Sequence, residues 1–413
     1  MKKFIVLLLI IVGIWFLWQH DQTPEIQRKE ADLSITMKIP DETEVIDERV
    51  EIEVATEAQE EIVDQDAPEA FFYNQLEVEM REIYRLIRDG VAMASDEIII
   101  DTDDIDLIHD IYRLVLFDHP EFFWVTGAAK TTITTWSDGR TYATFRPDYA
   151  HVGAEKIAMQ AEIEAVVDHF LATLDPTLSD YELVRVVYEY LIRNTVYDLD
   201  APDHQNIYSV FVNRASVCAG ISRAAQLLLN RLGIFATYVV GDAYVPGSSL
   251  APIAHAWNLV RINGEYYYLD VTWGMPTFGE DSGLAGRIDV IYDYLLLTGE
   301  MIYRTHTLAE GIIMPEVNSL THTFFYLNNM FYDSNNRDLL LEAMNTSISN
   351  GEDRTAFQFA TSQLFEEMRE VILEELAPIA AQNLMEWHGL SSTQYFFRER
   401  ENLNKITIYW IYE

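Results

Sequence analysis

Cysteine is almost missing from this sequence: Cys218 stands alone in 413 residues. No internal disulfide can form, so packed cores must hold the fold. The lone thiol is then either a buried structural residue or one kept for its reactivity. Positive charge is also scarce, with 28 Lys and Arg against 67 Asp and Glu and a net charge of −39. A surface that acidic repels phosphates, which argues against a nucleic-acid partner and leaves basic or cationic ones. Long apolar runs occur in one place, Phe4 to Trp18, directly after Met1-Lys2-Lys3. The run is short for a spanning helix but long enough for the apolar region of a secretory signal. No small-x-small cleavage pattern follows at Gln19, His20, Asp21 and Gln22. The expectation is an uncleaved signal-anchor over residues 1–18, lysines inside, Trp15 and Trp18 at the outer interface. The rest of the chain then faces outward, attached to the membrane, or is secreted if the segment is cleaved.

What remains is ordinary globular material, 49% hydrophobic and 23% charged, long enough for two folded units plus accessories. Residues 19–68 carry sixteen acids and four bases and cannot bury enough apolar surface to fold, so they read as an acidic spacer. Residues 69–175 read as an α+β region. Phe72, Leu76, Met80, Ile83 and Ile87 recur at helical spacing up to Gly90, and a strand spans 97–100. Asp101-Thr102-Asp103-Asp104 lacks the glycine and distal glutamate of a calcium loop, and caps the helix that carries Ile105 to Val115. Phe122 to Val125 reads as a strand, and Asp138-Gly139 as the turn of a hairpin. Helices follow over 155–174 and 180–193, the second opened by Ser179 and Glu182 at capping-box spacing.

The chemistry concentrates between Ser216 and Trp273. Cys218 opens a helix whose apolar face is Ile221, Ala224, Ala225, Leu228 and Leu229, ended by Gly233. The first turn of a helix offers a positive dipole end and unpaired N–H groups, which favour a thiolate and can receive an oxyanion. After a strand over 234–241 and a loop over 245–252, Asn263-Gly264 joins two further strands as a two-residue hairpin. That turn sets Ile262 opposite Glu265; counting back sets Trp257 opposite Asp270 and His255 opposite Thr272. His255 and Asp270 then share one face as diagonal neighbours, ~7–8 Å apart at the backbone and bridgeable by an imidazole and a carboxylate. The implied roles are nucleophile for Cys218, base for His255, and orienting carboxylate for Asp270.

These same residues, VCAGISRAAQLLLNRLGI and AHAWNLVRINGEYYYLDVTWG, resemble the core of the transglutaminase-like superfamily. Similarity extends upstream through 180–198 and downstream into DYLLLTGEMIYRTH, Asp293 to His306. The resemblance implies a papain-like α+β core over 176–320. Its triad would be Cys218, His255 and Asp270, acting on protein or cell-envelope peptide amides without cofactor or metal. It also implies an upstream side chain assisting the oxyanion, for which Tyr208 is the candidate. Trp257 and Trp273 either line a substrate channel or pack as core aromatics. The acyl-enzyme is resolved by an amine, as in cross-linking, or by water, as in hydrolysis. The alternative to an enzyme is a catalytically silent surface module with the same fold. Residues 321–413 read as a small α+β unit: a hairpin across Asn328-Asn329, a strand at 355–359, a helix at 363–375 and two closing strands. It either positions substrate or caps the core.

Overall fold

This computed structural model describes residues 70–244, 251–276 and 290–412. The expected signal-anchor, the acidic spacer and most of the 245–252 loop lie outside those residues. Among the described residues no helix is long and apolar enough to cross a membrane.

The first helix, α1 (Val78–Ala92), starts later than the periodicity from Phe72 suggests. Phe72 instead precedes a single 3-10 turn and is buried, its amide donating to the Asp118 carboxylate at 3.1 Å. A short strand, β1 (Ile98–Ile100), leads to α2 (Ile105–Asp118), and Asp104 Oδ1 accepts from the Leu107 amide at 2.9 Å, so the acidic cluster supplies the helix cap. Phe122, Phe123 and Trp124 are not a strand. All three are buried, and they fill a turn before β2 (Val125–Thr135). The hairpin partner β3 (Thr141–Tyr149) lies between β1 and β2, and Gly139 takes φ +91° in the connecting loop.

Two helices follow, α3 (Gly153–Ala172) and α4 (Asp180–Asn194). The second carries the expected capping box: the Ser179 amide donates to Glu182 Oε2 at 2.8 Å while the Glu182 amide reaches Ser179 Oγ at 3.4 Å. Its buried stripe is Val184, Val187, Tyr188, Leu191 and Ile192, while Leu183, Val186 and Tyr190 are only partly covered. A parallel pair, β4 (Val196–Tyr197) and β5 (Ala215–Ser216), brings the chain to α5 (Cys218–Arg231). This helix is buried on nearly every side from Cys218 to Leu229.

It packs on an antiparallel sheet of β6 (Ala236–Ala243), β7 (Ile253–Ile262), β8 (Glu265–Leu269) and β9 (His306–Leu308), ordered β8-β7-β6-β9. Ile262 faces Glu265 across Asn263-Gly264, whose φ angles of 51° and 87° are the pair a type I′ turn requires. One hydrophobic cluster runs from Tyr84 through α4 and α5 to Leu296, so residues 84–296 share a core.

The C-terminal unit is α+β, as expected, but its opening hairpin is not there. Phe324–Leu327 forms a helical turn, Asn329 reverses the chain at φ +56°, and β10 (Phe331–Tyr332) pairs in parallel with β11 (Arg354–Phe359). Between them lies α6 (Arg337–Ser349), which the sequence reading missed. The expected 363–375 helix is α7 (Ser362–Val371), continued by a π turn into α8 (Ala377–His388). Strands β12 (Gln394–Arg400) and β13 (Lys405–Ile411) complete a sheet ordered β10-β11-β13-β12. Phe357, Phe359, Ile406, Ile408 and Trp410 cluster with the helices. Arg400 and Lys405 both ion-pair with buried Asp293, Arg400 Nε at 2.6 Å, tying this unit to residues 290–308.

Candidate active site

Cys218 is the first residue of α5. The residue before it, Val217, is extended and supplies no side-chain cap. A valine cannot accept from the first-turn amides as Ser or Asp would. The loop at His204–Asn206 packs directly on this turn: a Cβ on Gly220 would stand 2.8 and 2.9 Å from the His204 and Asn206 carbonyl oxygens. Only glycine lets the loop come that close. Cys218 itself is 1% exposed, in a cluster with Phe72, Phe117, Tyr238 and Ala256.

His255 sits on β7 and Asp270 one residue beyond the end of β8. The ladder counted from the turn stops at Asn258 opposite Leu269. Asp270 donates its amide to the Tyr294 carbonyl at 3.0 Å, so the expected pairings of Trp257 with Asp270 and His255 with Thr272 do not form. The side chains meet nonetheless. Asp270 Oδ1 accepts from the Trp273 amide at 3.1 Å, which holds the carboxylate at the start of the turn, and Oδ2 lies 2.7 Å from His255 Nε2.

A carboxylate only accepts, so His255 Nε2 carries a hydrogen. That leaves Nδ1 for Cys218, whose sulfur is among the groups that favour a charged His255. Burial works against a charged His255, but the Asp270 carboxylate and the Cys218 sulfur outweigh it and push its pKa up to about 10. Asp270 shows the converse: burial opposes its charge, and His255 and His306 hold it below the usual carboxylate range.

The other residues singled out by sequence are placed differently. Tyr208 OH is hydrogen-bonded to Glu162 Oε2 at 2.6 Å, on α3, and is not at the sulfur. The phenol at Cys218 is Tyr197, which hydrogen-bonds both its side chain and its backbone amide. Burial and the adjacent sulfur raise the Tyr197 pKa well above its usual range, so it stays a neutral hydroxyl. Trp257 and Trp273 are core aromatics here, both buried. Trp257 stacks on His255 at 6.0 Å and 20°, and Trp273 meets it at 6.1 Å and 49°.

Sequence reasoning also passed over His306, on β9, whose Nε2 is 3.2 Å from Asp270 Oδ2. Ligand atoms of His255, Asp270 and His306 all lie within 4.8 Å of one another. The 2.7 Å separation of His255 Nε2 from Asp270 Oδ2 is that of a charge-assisted hydrogen bond. Two donors sharing a zinc ion at ~2.0–2.1 Å each in tetrahedral geometry would stand further apart.

Among curated proteins none matches this sequence significantly. Solved structures that it resembles include a TGase, 19% identical over 35% of this chain and 44% of that one, with a TM-score of 0.25. They also include a candidate cysteine protease of Cytophaga hutchinsonii, 16% identical over 37% of this chain and 64% of that one, with a TM-score of 0.24. A candidate protease of Parabacteroides distasonis is 12% identical over 34% and 39%, with a TM-score of 0.21. The chain thus spans less than two thirds of the length of each of these structures. Residues 169–271 match the profile of the transglutaminase-like superfamily, and the chain carries a domain of that superfamily.

Proposed function

We propose that the chain is a transglutaminase-like cysteine enzyme acting on protein or peptide amides through Cys218, His255 and Asp270. The observation that carries this reading is the buried 2.7 Å hydrogen bond from His255 Nε2 to Asp270 Oδ2, with Cys218 at an uncapped helix start and its sulfur among the groups that raise the His255 pKa.

Cys218 gives its thiol proton to His255 Nδ1 as Sγ attacks the amide carbonyl carbon, and the resulting oxyanion takes a hydrogen bond from the Tyr197 hydroxyl, which turns to it from the sulfur. Collapse breaks the C–N bond, and His255 Nδ1–H protonates the departing amine to leave a thioester. An amine or water then attacks the thioester, gives its proton to His255 and expels the sulfur, so the net reaction is acyl transfer or hydrolysis. Asp270 keeps His255 in the Nε2–H tautomer throughout. Cys218, His255 and Asp270 are at most 2% exposed, so substrate entry requires side chains of the Cys218 cluster to part; Phe71, Ile312 and Met314 pack against it. The apolar run at residues 4–18 supports an outward-facing, membrane-attached setting for this reaction.

The experiment is alkylation of the native protein by iodoacetamide, with Cys218→Ala as control. It is paired with a choice of acceptor: labelled amine incorporation at a glutamine donor against peptide hydrolysis. Ready labelling of native Cys218 and loss of turnover in Cys218→Ala are expected. A thiol labelled only after denaturation favours the silent binding module instead, a reading that the burial of the sulfur would then explain.

A further inference from the structure

His306 is fully buried, and nothing in the reaction above uses it. It enters the site because β9 pairs with β6, opposite Ala243, on the far side of the sheet order from β8. Its Nε2 points at Asp270 Oδ2, the same oxygen that His255 Nε2 meets. Since that oxygen only accepts, His306 carries its hydrogen on Nε2, and Nδ1 lies 2.8 Å from Thr305 Oγ1, a hydroxyl that also faces the Ile302 carbonyl at 3.3 Å. The ring is enclosed by Trp257 and Trp273, each at 4.9 Å, and Tyr294 at 6.2 Å. Burial disfavours its protonation, and the neighbouring His255 adds to that against the pull of Asp270. His306 is therefore a neutral donor. Packing alone would be served by any flat ring; two fixed hydrogen bonds, one to each nitrogen, would not be needed.

We propose that His306 is a positioning residue for the Cys218–His255–Asp270 reaction, its Nε2–H anchoring the carboxylate oxygen that orients His255. It does so in two ways. It fixes the rotation of the carboxylate, together with the Trp273 amide on Oδ1. It also takes up part of the negative charge on Oδ2, which moderates how tightly Asp270 holds the His255 proton and leaves that proton transferable to the departing amine. The inference rests on the proposed function.

The test uses the full chain and three variants: His306→Phe, which keeps a ring and removes both hydrogen bonds; His306→Gln, which restores an N–H near Nε2; and Thr305→Val, which removes the partner of Nδ1. The readouts are the pH profile of native Cys218 alkylation by iodoacetamide, turnover, and thermal unfolding. Expected for His306→Phe is an alkaline step, set by His255, displaced upward. Turnover falls about tenfold or more through kcat with KM little changed, as misplacement of a reacting group would cause. Recovery of the wild-type step and of most turnover is expected in His306→Gln. Thr305→Val, should His306→Phe not fold, moves the step in the same direction by less. Alkaline steps that stay at the wild-type position in all folded variants overturn the inference. So does a loss in both His306 variants that follows thermal stability alone. A wild-type thiol inert until denaturation sinks the proposed function and this inference with it, whereas a reactive wild-type thiol with unmoved variants sinks the inference alone.

Discussion

Replacing Asp270 by Asn removes the charge at the centre of the site while keeping its shape. The carboxylate accepts three N–H groups: His255 Nε2 at 2.7 Å and His306 Nε2 at 3.2 Å on one oxygen, and the Trp273 amide at 3.1 Å on the other. An amide of the same shape offers one accepting oxygen, so one side of it must present N–H to N–H. The charge goes as well. Burial lowers the proton affinity of His255, and it is chiefly Asp270 that reverses this, to a pKa of about 10. Relative to the ordinary 6.5, that is a preference for the imidazolium on the order of 5 kcal/mol. Without the carboxylate, burial is opposed by the Cys218 sulfur alone, so the imidazolium is less favoured and the tautomer is no longer fixed. The expected loss is about 10³–10⁴-fold in kcat/KM, as in a serine-type triad whose carboxylate becomes an amide. The assay is the rate of native Cys218 alkylation at pH 7, read by intact mass beside a thermal melt. An Asp270→Asn chain that folds and alkylates at the wild-type rate refutes the argument.

Other outcomes follow from the same geometry. Tyr197→Phe should slow thioester formation about 10²-fold by removing one oxyanion donor, read as the burst from an activated ester, while Tyr208→Phe changes it by less than about twofold; a reversed order returns the role to Tyr208. Stability should fall at alkaline pH: the His255 pKa is raised on folding, so its contribution is fully present below about 6.5 and is lost as pH rises through about 10. Denaturant midpoints from pH 7 to 11 should therefore decline across that window in wild type and less in His255→Ala. Asp293→Ala strips the shared counter-charge from Arg400 and Lys405, whose side chains are 8% and 12% exposed. The cost should be about 3–5 kcal/mol, as for other broken buried pairs. Calorimetry should show the C-terminal unit melting first, and an unchanged melt would remove Asp293 as its anchor.

Several local features were legible in the chain because the rules that set them act over a few residues. Ser179 and Glu182 announced the start of α4, Asp104 the start of α2, and Asn263-Gly264 the register of β7 on β8. The start of α5 at Cys218 followed from its apolar periodicity. The same short-range rules misread Phe122–Trp124 and Phe324–Leu327 as strands. Aromatic runs suit strands, but here the rings are needed in a turn and in a helical corner between units.

Helix start, strand alternation and turn type confine the proposed nucleophile, base and carboxylate to one region, and each of these is a local rule that can be read along the chain. Tertiary structure decided what surrounds them. Tyr197 reaches the sulfur because β4 pairs with β5 directly before Cys218, and His306 reaches Asp270 because β9 joins the sheet beside β6. Neither pairing follows from a local pattern: two-residue and three-residue strands carry too little periodicity to be read. Their partners are chosen by the packing of the whole core. Asp270 shows both levels at once, placed near His255 by a turn the sequence spells out and aimed at it by a hydrogen bond to Trp273 that only the folded chain provides.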